Sequence, residues 1–256
     1  MPRPRIFDAE GFVLRRTDYG EADRILTLFT ATYGKMRAIA KGVRKTTSRK
    51  AGHLEPFTRT EMLLASGRDL AIITQADARE RFERLMGDFW TASAAWYVAE
   101  LIDRFLEDED PHPRLYALFV ETLRRLDELA GSEDSARGWM ALRYFELRLL
   151  GELGYRPGLQ TCVNCDQPLR PEDQGYSAET GGAVCPDCMR YGARPLSLTA
   201  LKVLRLLQGT AWDALPRVRL DAALRAEIEA TLQATLRYHL ERDLKSWVFL
   251  QQAAHS

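Results

Sequence analysis

The sequence has little that would make it an enzyme or a membrane protein. Its 256 residues contain no run of about 18 apolar residues, so no membrane-spanning helix is expected. The opening stretch MPRPRIFDAE lacks the apolar core of a secretory signal, so a soluble, cytoplasmic protein is expected. There is no G-x-x-x-x-G-K-[ST], no G-x-S-x-G and no H-E-x-x-H, which argues against a nucleotide-driven motor, a serine hydrolase of the elbow type and a zinc protease. The four histidines, His53, His112, His239 and His255, are scattered, and no acidic cluster resembles a nuclease metal site. An excess of one charge is missing too, because 36 Lys and Arg balance 36 Asp and Glu. Cysteine is scarce: there are four, all between residues 162 and 188.

The neutral total conceals an asymmetry. Residues 1–80 carry 15 Lys and Arg against 10 Asp and Glu, a net of +5, and residues 81–256 carry 21 against 26, a net of −5. Two ends of opposite sign imply two roles. The positive charge is concentrated in KMRAIAKGVRKTTSRK, residues 35–50, which holds Lys35, Arg37, Lys41, Arg44, Lys45, Arg49 and Lys50 and no acid. Such a run repels itself unless an anion sits against it.

The first eighty residues read as strands divided by turns: FVLRR (12–16), RILTLFT (24–30), KMRAIAK (35–41), PFTRTEMLL (56–64) and DLAIITQA (69–76). Five short strands with one longer connection, Gly42–Glu55, predict a small barrel. Alternation in KMRAIAK puts Met36, Ala38 and Ala40 on one face and Lys35, Arg37, Ile39 and Lys41 on the other. The small apolar face suits the barrel interior, so the basic face points outward and runs on into the loop at Arg44–Lys50. Arg15, Arg16 and Arg24 are candidates to extend it. After about residue 80 the pattern becomes helical, with segments at 80–107, 114–131, 135–154, 196–209 and 220–244. Pro111 and Pro113 divide the first from the second. The stretch Tyr155–Pro195 stands out as an insertion of different composition. The expected architecture is therefore an α+β multidomain chain: a five-stranded barrel at 1–80 and an α-helical domain at 81–256, with the insertion at 155–195 inside it.

The insertion carries CVNC and CPDC, in which Cys162, Cys165, Cys185 and Cys188 have the spacing C-x2-C-x19-C-x2-C. Two residues between cysteines let one tight turn present two sulfurs to a tetrahedral ion, so this spacing predicts a zinc site. The bland alternatives are disulfides, which a cytoplasmic setting disfavours, or unpaired thiols. Four thiolates fill the coordination sphere, so such a zinc is structural and has no open position for catalysis. It would leave a net charge of −2, which the nearby Arg170, Arg190 and Arg194 are placed to offset.

The basic run also has a bland reading, a solvated charged face. Against it stand the shared strand face and the hydroxyls of Thr46, Thr47 and Ser48, which suit phosphate oxygens. A backbone contact of this kind is independent of sequence and weakens with salt; five phosphates of a single strand give a slope of about −3.5 in log K against log salt. Phe29 and Phe57 are expected in the core, whereas Tyr19 and Tyr33 sit at turns and are open to stacking on bases. The EDED cluster at 107–110 reads as a solvated linker, or as a weak magnesium site if the protein cuts nucleic acid.

Taken together, GFVLRRTDYGEADRILTLFT, then YGKMRAIAKGVRK, then a helical half containing CxxC…CxxC resemble the RecO family of bacterial recombination mediators over nearly the whole chain. The most specific stretches are Gly20–Leu26 and Gly34–Arg44. The resemblance implies that the barrel is an OB-fold and that no nucleotide is hydrolysed. It implies binding of single- and double-stranded DNA, annealing of complementary strands, and partnership with RecR and with the tail of single-stranded-DNA-binding protein during loading of the RecA recombinase in DNA repair. It also implies that the helical domain carries partner contacts. The competing interpretation is an adaptor whose basic loop docks an acidic protein.

Overall fold

The computed structural model describes residues 4–132, 134–189, 192–216, 218 and 220–253; Arg190 and His255 lie outside them. Five strands form a closed barrel: β1 (Ile6–Tyr19), β2 (Asp23–Thr30), β3 (Gly34–Ala40), β4 (Thr58–Ala65) and β5 (Ala71–Arg81), in the order β1-β2-β3-β5-β4. All pairings are antiparallel except β3 with β5, which closes the ring through Ala38↔Ala71 and Ile39↔Ile72. This is the OB arrangement.

Strand β1 serves both neighbours. Its first half pairs with β4 and its second with β2, and Gly11 faces Thr60 on one side and Thr30 on the other. A β-carbon at Gly11 would come within 2.5 Å of the Phe29 carbonyl oxygen, so no other residue fits this close approach. The register shift between Val13 and Arg15 is a bulge. It lets consecutive residues enter different cores: Val13 joins the barrel interior with Leu26, Leu28, Met36, Ala38, Ala40, Met62, Leu64 and Ile73, and Leu14 is buried outside that cluster.

One outer side of the barrel is covered by helices. Helix α1 (Phe89–Phe105) begins where Asp88 accepts a hydrogen bond from the Thr91 amide at 2.8 Å, and α2 (Pro113–Leu129) begins at Pro113, whose missing N–H costs nothing in a first turn. Phe12 and Phe29 are fully buried, 5.2 and 5.8 Å from the ring of Phe119, and Phe57 meets Trp96 at 4.8 Å. Phe29 and Phe57 are core residues, as expected, and Phe12 joins them, all outside the buried cluster that fills the ring. Strand β5 reaches Arg81, so the first helical segment starts at Phe89 and not at Glu80. The pairing Thr58↔Arg81 with β4 outweighs the helical character of RERFERL.

The change of texture near residue 80 is where strands give way to helices, but contacts divide the chain elsewhere. One compact unit comprises the residues up to Gly131 together with those from Lys245 onward, and the other spans Ser132–Leu244. The second unit holds α3 (Ser135–Glu152), a three-stranded sheet of β6 (Gln174–Ser177), β7 (Gly182–Val184) and β8 (Arg194–Leu196) in the order β7-β6-β8, then α4 (Leu198–Gly209) and α5 (Ala222–Leu240). Within it Arg143 and Glu146 are both buried and paired at 2.8 Å.

A last helix, α6 (Lys245–Ala253), was not foreseen from the sequence and belongs to the first unit. Trp247 packs 5.5 Å from Tyr97 of α1, and the Glu100 carboxylate caps α6 by accepting from the Ser246 amide at 2.7 Å and the Ser246 hydroxyl at 2.5 Å. Burial alone would raise the Glu100 pKa, but the bonds from Ser246 and Lys245 and the nearby Arg104 outweigh it, and the shift is downward. A carboxylate with a lowered folded-state pKa stabilises the fold fully above the ordinary glutamate value and loses that contribution as pH falls through the lower one. Glu100→Gln should therefore lower the melting temperature by about 2–4 °C at pH 7. The gap from wild type should close below about pH 4; a constant gap in thermal unfolding across this range would refute the role of the ionised group.

Candidate nucleic-acid interface and metal centre

The alternation expected for the third strand is present. Along β3, Met36, Ala38 and Ala40 are buried in the barrel, Arg37 is exposed and Lys35 and Ile39 are half-buried. The connection Gly42–Glu55 is tied down at both ends. Val43 and Leu54 insert into the barrel core, the Gly42 amide donates to Asp23 at 2.7 Å, the Arg44 amide to the Ala22 carbonyl at 2.9 Å, and His53 Nδ1 accepts from the Ala78 amide at 3.0 Å. The loop's apolar ends are thus plugs, and its cationic middle is displayed.

The seven cations of residues 35–50 do not share one environment. Lys35 is committed internally: its ammonium donates to the Asp103 carbonyl at 2.7 Å and lies 3.5 Å from Asp108, with the side chain only 12% exposed. Arg44 lies 3.4 Å from Asp18 and donates to the Gly20 carbonyl. Lys50 donates to the Ile73 carbonyl at 2.9 Å, and burial pushes its pKa below the usual lysine value although Asp23 opposes the shift. Arg37, Lys41, Lys45 and Arg49 are exposed, and their side chains have no hydrogen-bond or ion-pair partner among the described residues. Arg16 and Arg24 are matched by Glu55 and Asp18, at 2.5 and 3.0 Å, so they add little field; Arg15 is 62% exposed, 3.8 Å from Asp103.

No local pattern marks Lys35 as having internal partners. They come from Asp103 in the last turn of α1 and from Asp108 of the α1–α2 connection, where the acidic cluster is not a free linker. The Glu109 amide donates to the Lys35 carbonyl at 2.7 Å, extending β3 by a parallel bridge between Lys35 and Asp108. Gly34, at φ +67°, makes this approach feasible, since a β-carbon there would meet the Asp110 carbonyl oxygen at 2.1 Å.

In the second unit the four cysteines converge. Their sulfurs all lie within 4.8 Å of one another, and Cys165 and Cys185 are 3.9 Å apart, close to the edge of about 3.8 Å of a tetrahedron with 2.3 Å metal–sulfur bonds. Two tight turns arrange them. The Asp166 amide donates to the Cys162 carbonyl at 2.8 Å with Asp166 at positive φ, and the Cys188 amide to the Cys185 carbonyl at 3.0 Å. The thiols are electrically uneven. Burial would raise the Cys162 pKa, but amides of Cys185, Asn164 and Cys165 donate to its sulfur and hold it at about 6. Cys188 is pushed up to about 12, chiefly by Cys185 and Cys165. Four thiolates this close repel one another, and a bound dication removes that conflict. The residues fit a metal. Of the arginines expected to offset the charge, Arg194 is used by the Ala230 carbonyl.

Fold and sites together define a class: a small barrel with a partly unpaired cationic side, joined to a helical region that carries a four-cysteine cluster. Comparison with known proteins gives the family. Residues 5–82 match the model for "Recombination protein O N terminal" and residues 86–247 that for "Recombination protein O C terminal". The chain is 44% identical to the DNA repair protein RecO of Roseiflexus sp. (strain RS-1), over 97% of this chain and 86% of that one. It is 35% identical to a DNA repair protein RecO of Dehalococcoides mccartyi, over 98% and 97%, and 36% identical to that of Pelotomaculum thermopropionicum, over 97% and 94%. The chain belongs to the RecO family.

If the cluster staples the insertion, metal analysis of the purified protein should find about one divalent ion per chain, and Cys162→Ser should abolish it and lower thermal stability. An unchanged melting temperature after chelation would exclude a structural metal.

Proposed function

We propose that the protein is a non-enzymatic recombination mediator in DNA repair. It binds the phosphates of single- and double-stranded DNA along the cationic side of the barrel and anneals complementary strands. With RecR it helps to load the RecA recombinase in RecF-pathway recombinational repair. The observation that carries this reading is the set of four partnerless cations, Arg37, Lys41, Lys45 and Arg49, on one strand and loop of a barrel in a chain of this family. Annealing two polyanions requires that their repulsion be screened, and a fixed row of cations does this without fuel. Residues 1–80 are then the nucleic-acid-binding part, with the α1–α2 connection holding Lys35. Lys35, Arg44 and Lys50, being internally engaged, shape the surface more than they touch phosphate.

The metal at Cys162, Cys165, Cys185 and Cys188 is read as Zn²⁺ with a structural role, the chemistry that four thiolates select. The protein acts in the cytoplasm and on the nucleoid when bound to DNA; no helix among the described residues is long and apolar enough to cross a membrane. Partner contacts fall to the helices. A groove of about 550 Å³ beside α1 and α6 is lined by Phe89, Trp96 and Phe249, with Arg15, Arg104 and Lys245 outnumbering Glu100 and Asp103 around it. That chemistry suits an acidic peptide with an apolar end, such as the tail of single-stranded-DNA-binding protein.

A salt titration of bare oligonucleotide binding tests the function. Four phosphate contacts give a slope of about −2.8 in log K against log salt for a single strand. The double variant Lys45→Glu, Arg49→Glu should reduce affinity at moderate salt by about tenfold or more and slow annealing in proportion. Salt-independent binding, or none without a protein partner, would favour an adaptor whose loop docks an acidic protein.

A further inference from the structure

At one end of the barrel a cavity of about 850 Å³ lies beside the cationic side and shares Arg37 with it. The parallel pairing of Ala38 with Ala71 brings the β4–β5 turn alongside β3, and the turn contributes Arg68 and Asp69 to the cavity. Arg68 is exposed and, like Arg37, has no hydrogen-bond or ion-pair partner among the described residues. The α1–α2 connection contributes Asp108 and Glu109, and Tyr33 of the β2–β3 turn, half-buried against Phe7, adds an aromatic surface. Two arginines and three acidic residues therefore line one space, with Asp108 also 3.5 Å from the Lys35 ammonium.

This mixture selects against most ligands. A bare phosphate or a run of backbone would meet the carboxylates at close quarters. A neutral apolar ligand would leave both guanidiniums unused. A nucleotide of an unpaired strand satisfies both signs: its phosphodiester suits the guanidiniums, and its base offers ring N–H and exocyclic amino groups to carboxylates and a face to an aromatic ring. The volume is within the range of small-molecule sites. A base in a duplex has its pairing edge occupied and both faces stacked, so it cannot enter. We propose that this cavity holds one unstacked nucleotide of single-stranded DNA, with Arg37 and Arg68 on its phosphates, and that it gives the protein a preference for unpaired strands. The proposal rests on the DNA-binding reading above and deepens it.

The test uses the full chain, with fluorescence anisotropy on three probes: a single-stranded oligonucleotide, the same strand carrying abasic sites, and the duplex. Arg68→Ala should weaken the single strand about tenfold, the worth of one charged hydrogen-bonding group, and leave duplex binding within about twofold. Wild type should bind the abasic strand several-fold more weakly than the normal one, as expected when a stacked base is removed. Equal loss on single strand and duplex would overturn the proposal, since Arg68 would then be only one more surface charge; so would equal affinity for normal and abasic strands. If Arg68→Ala changes nothing while Lys45→Glu, Arg49→Glu loses both DNA forms, the nucleotide site fails and the DNA-binding reading stands. If neither variant affects binding, both fail.

Discussion

The parallel contact between β3 and β5 is the constraint on which the rest depends. It involves only two residue pairs, Ala38↔Ala71 and Ile39↔Ile72, yet it turns a meander into a ring. Closure needs small side chains inside, which Ala38, Ala40 and Ala71 supply, all within the buried barrel cluster. Because β5 lies between β3 and β4 in the ring, the chain from β3 to β4 cannot be a hairpin turn. That geometry forces a long connection at residues 41–57, which carries Lys41, Lys45 and Arg49, while Arg37 lies on β3 itself. The same contact sets the β4–β5 turn beside Arg37. Strand-face periodicity, loop and end cavity therefore follow from one closure.

Charge is then distributed by geometry, not by composition. Around the basic run, the engaged carboxylates are Asp18 and Asp23 near the β1–β2 turn, Glu55 at the end of the loop, and Asp103 and Asp108 on the helical side. Cations near those carboxylates are neutralised, and those between them are not. A charge paired in this way contributes little to a long-range field, while four unpaired ones on one side add. A chain with zero formal net charge can thus present a strongly cationic strip. The strip is narrower than the basic run suggests, since Lys35 holds the α1–α2 connection against the edge of β3.

What was legible in the sequence was what periodicity and local turns encode. KMRAIAK announces its inner and outer faces because alternate side chains on a strand cannot share a side, and the CxxC pairs announce their turns because the sulfurs must converge. The five strands were found, though β1 and β5 run longer than their apolar centres: the added residues pair with neighbours that only the closed ring brings near. Helix α6 was missed because its cap, Glu100, lies 145 residues away from Lys245. Lys35 was read as free for the same reason, since Asp103 and Asp108 are distant in sequence and EDED looks like a solvated linker when read alone. Arg68 drew no attention because a single arginine in a turn has no pattern; only the pairing of β3 with β5 gives it a neighbour.

The thiol cluster illustrates a different kind of constraint. Three backbone amides favour ionisation of Cys162, while proximity disfavours ionisation of Cys188. In the absence of a cation the cluster can lower its energy only by keeping protons on its sulfurs, and protons do not hold four sulfurs in a tetrahedron. The insertion is tied to the helices by bonds from Arg205 to the Leu159 carbonyl and from Gln208 to the Pro157 carbonyl, but its own sheet is small. That sheet has three strands of three or four residues; the Tyr176 hydroxyl meets Thr235 of α5 at 2.7 Å and Arg194 donates to the Ala230 carbonyl. Sheets that small do not stand alone. A dication held by the four sulfurs would add a cross-link between the CVNC and CPDC turns. Four sulfurs would fill the coordination shell of such an ion and leave no open position on it, so the role this cluster can play is to hold the insertion.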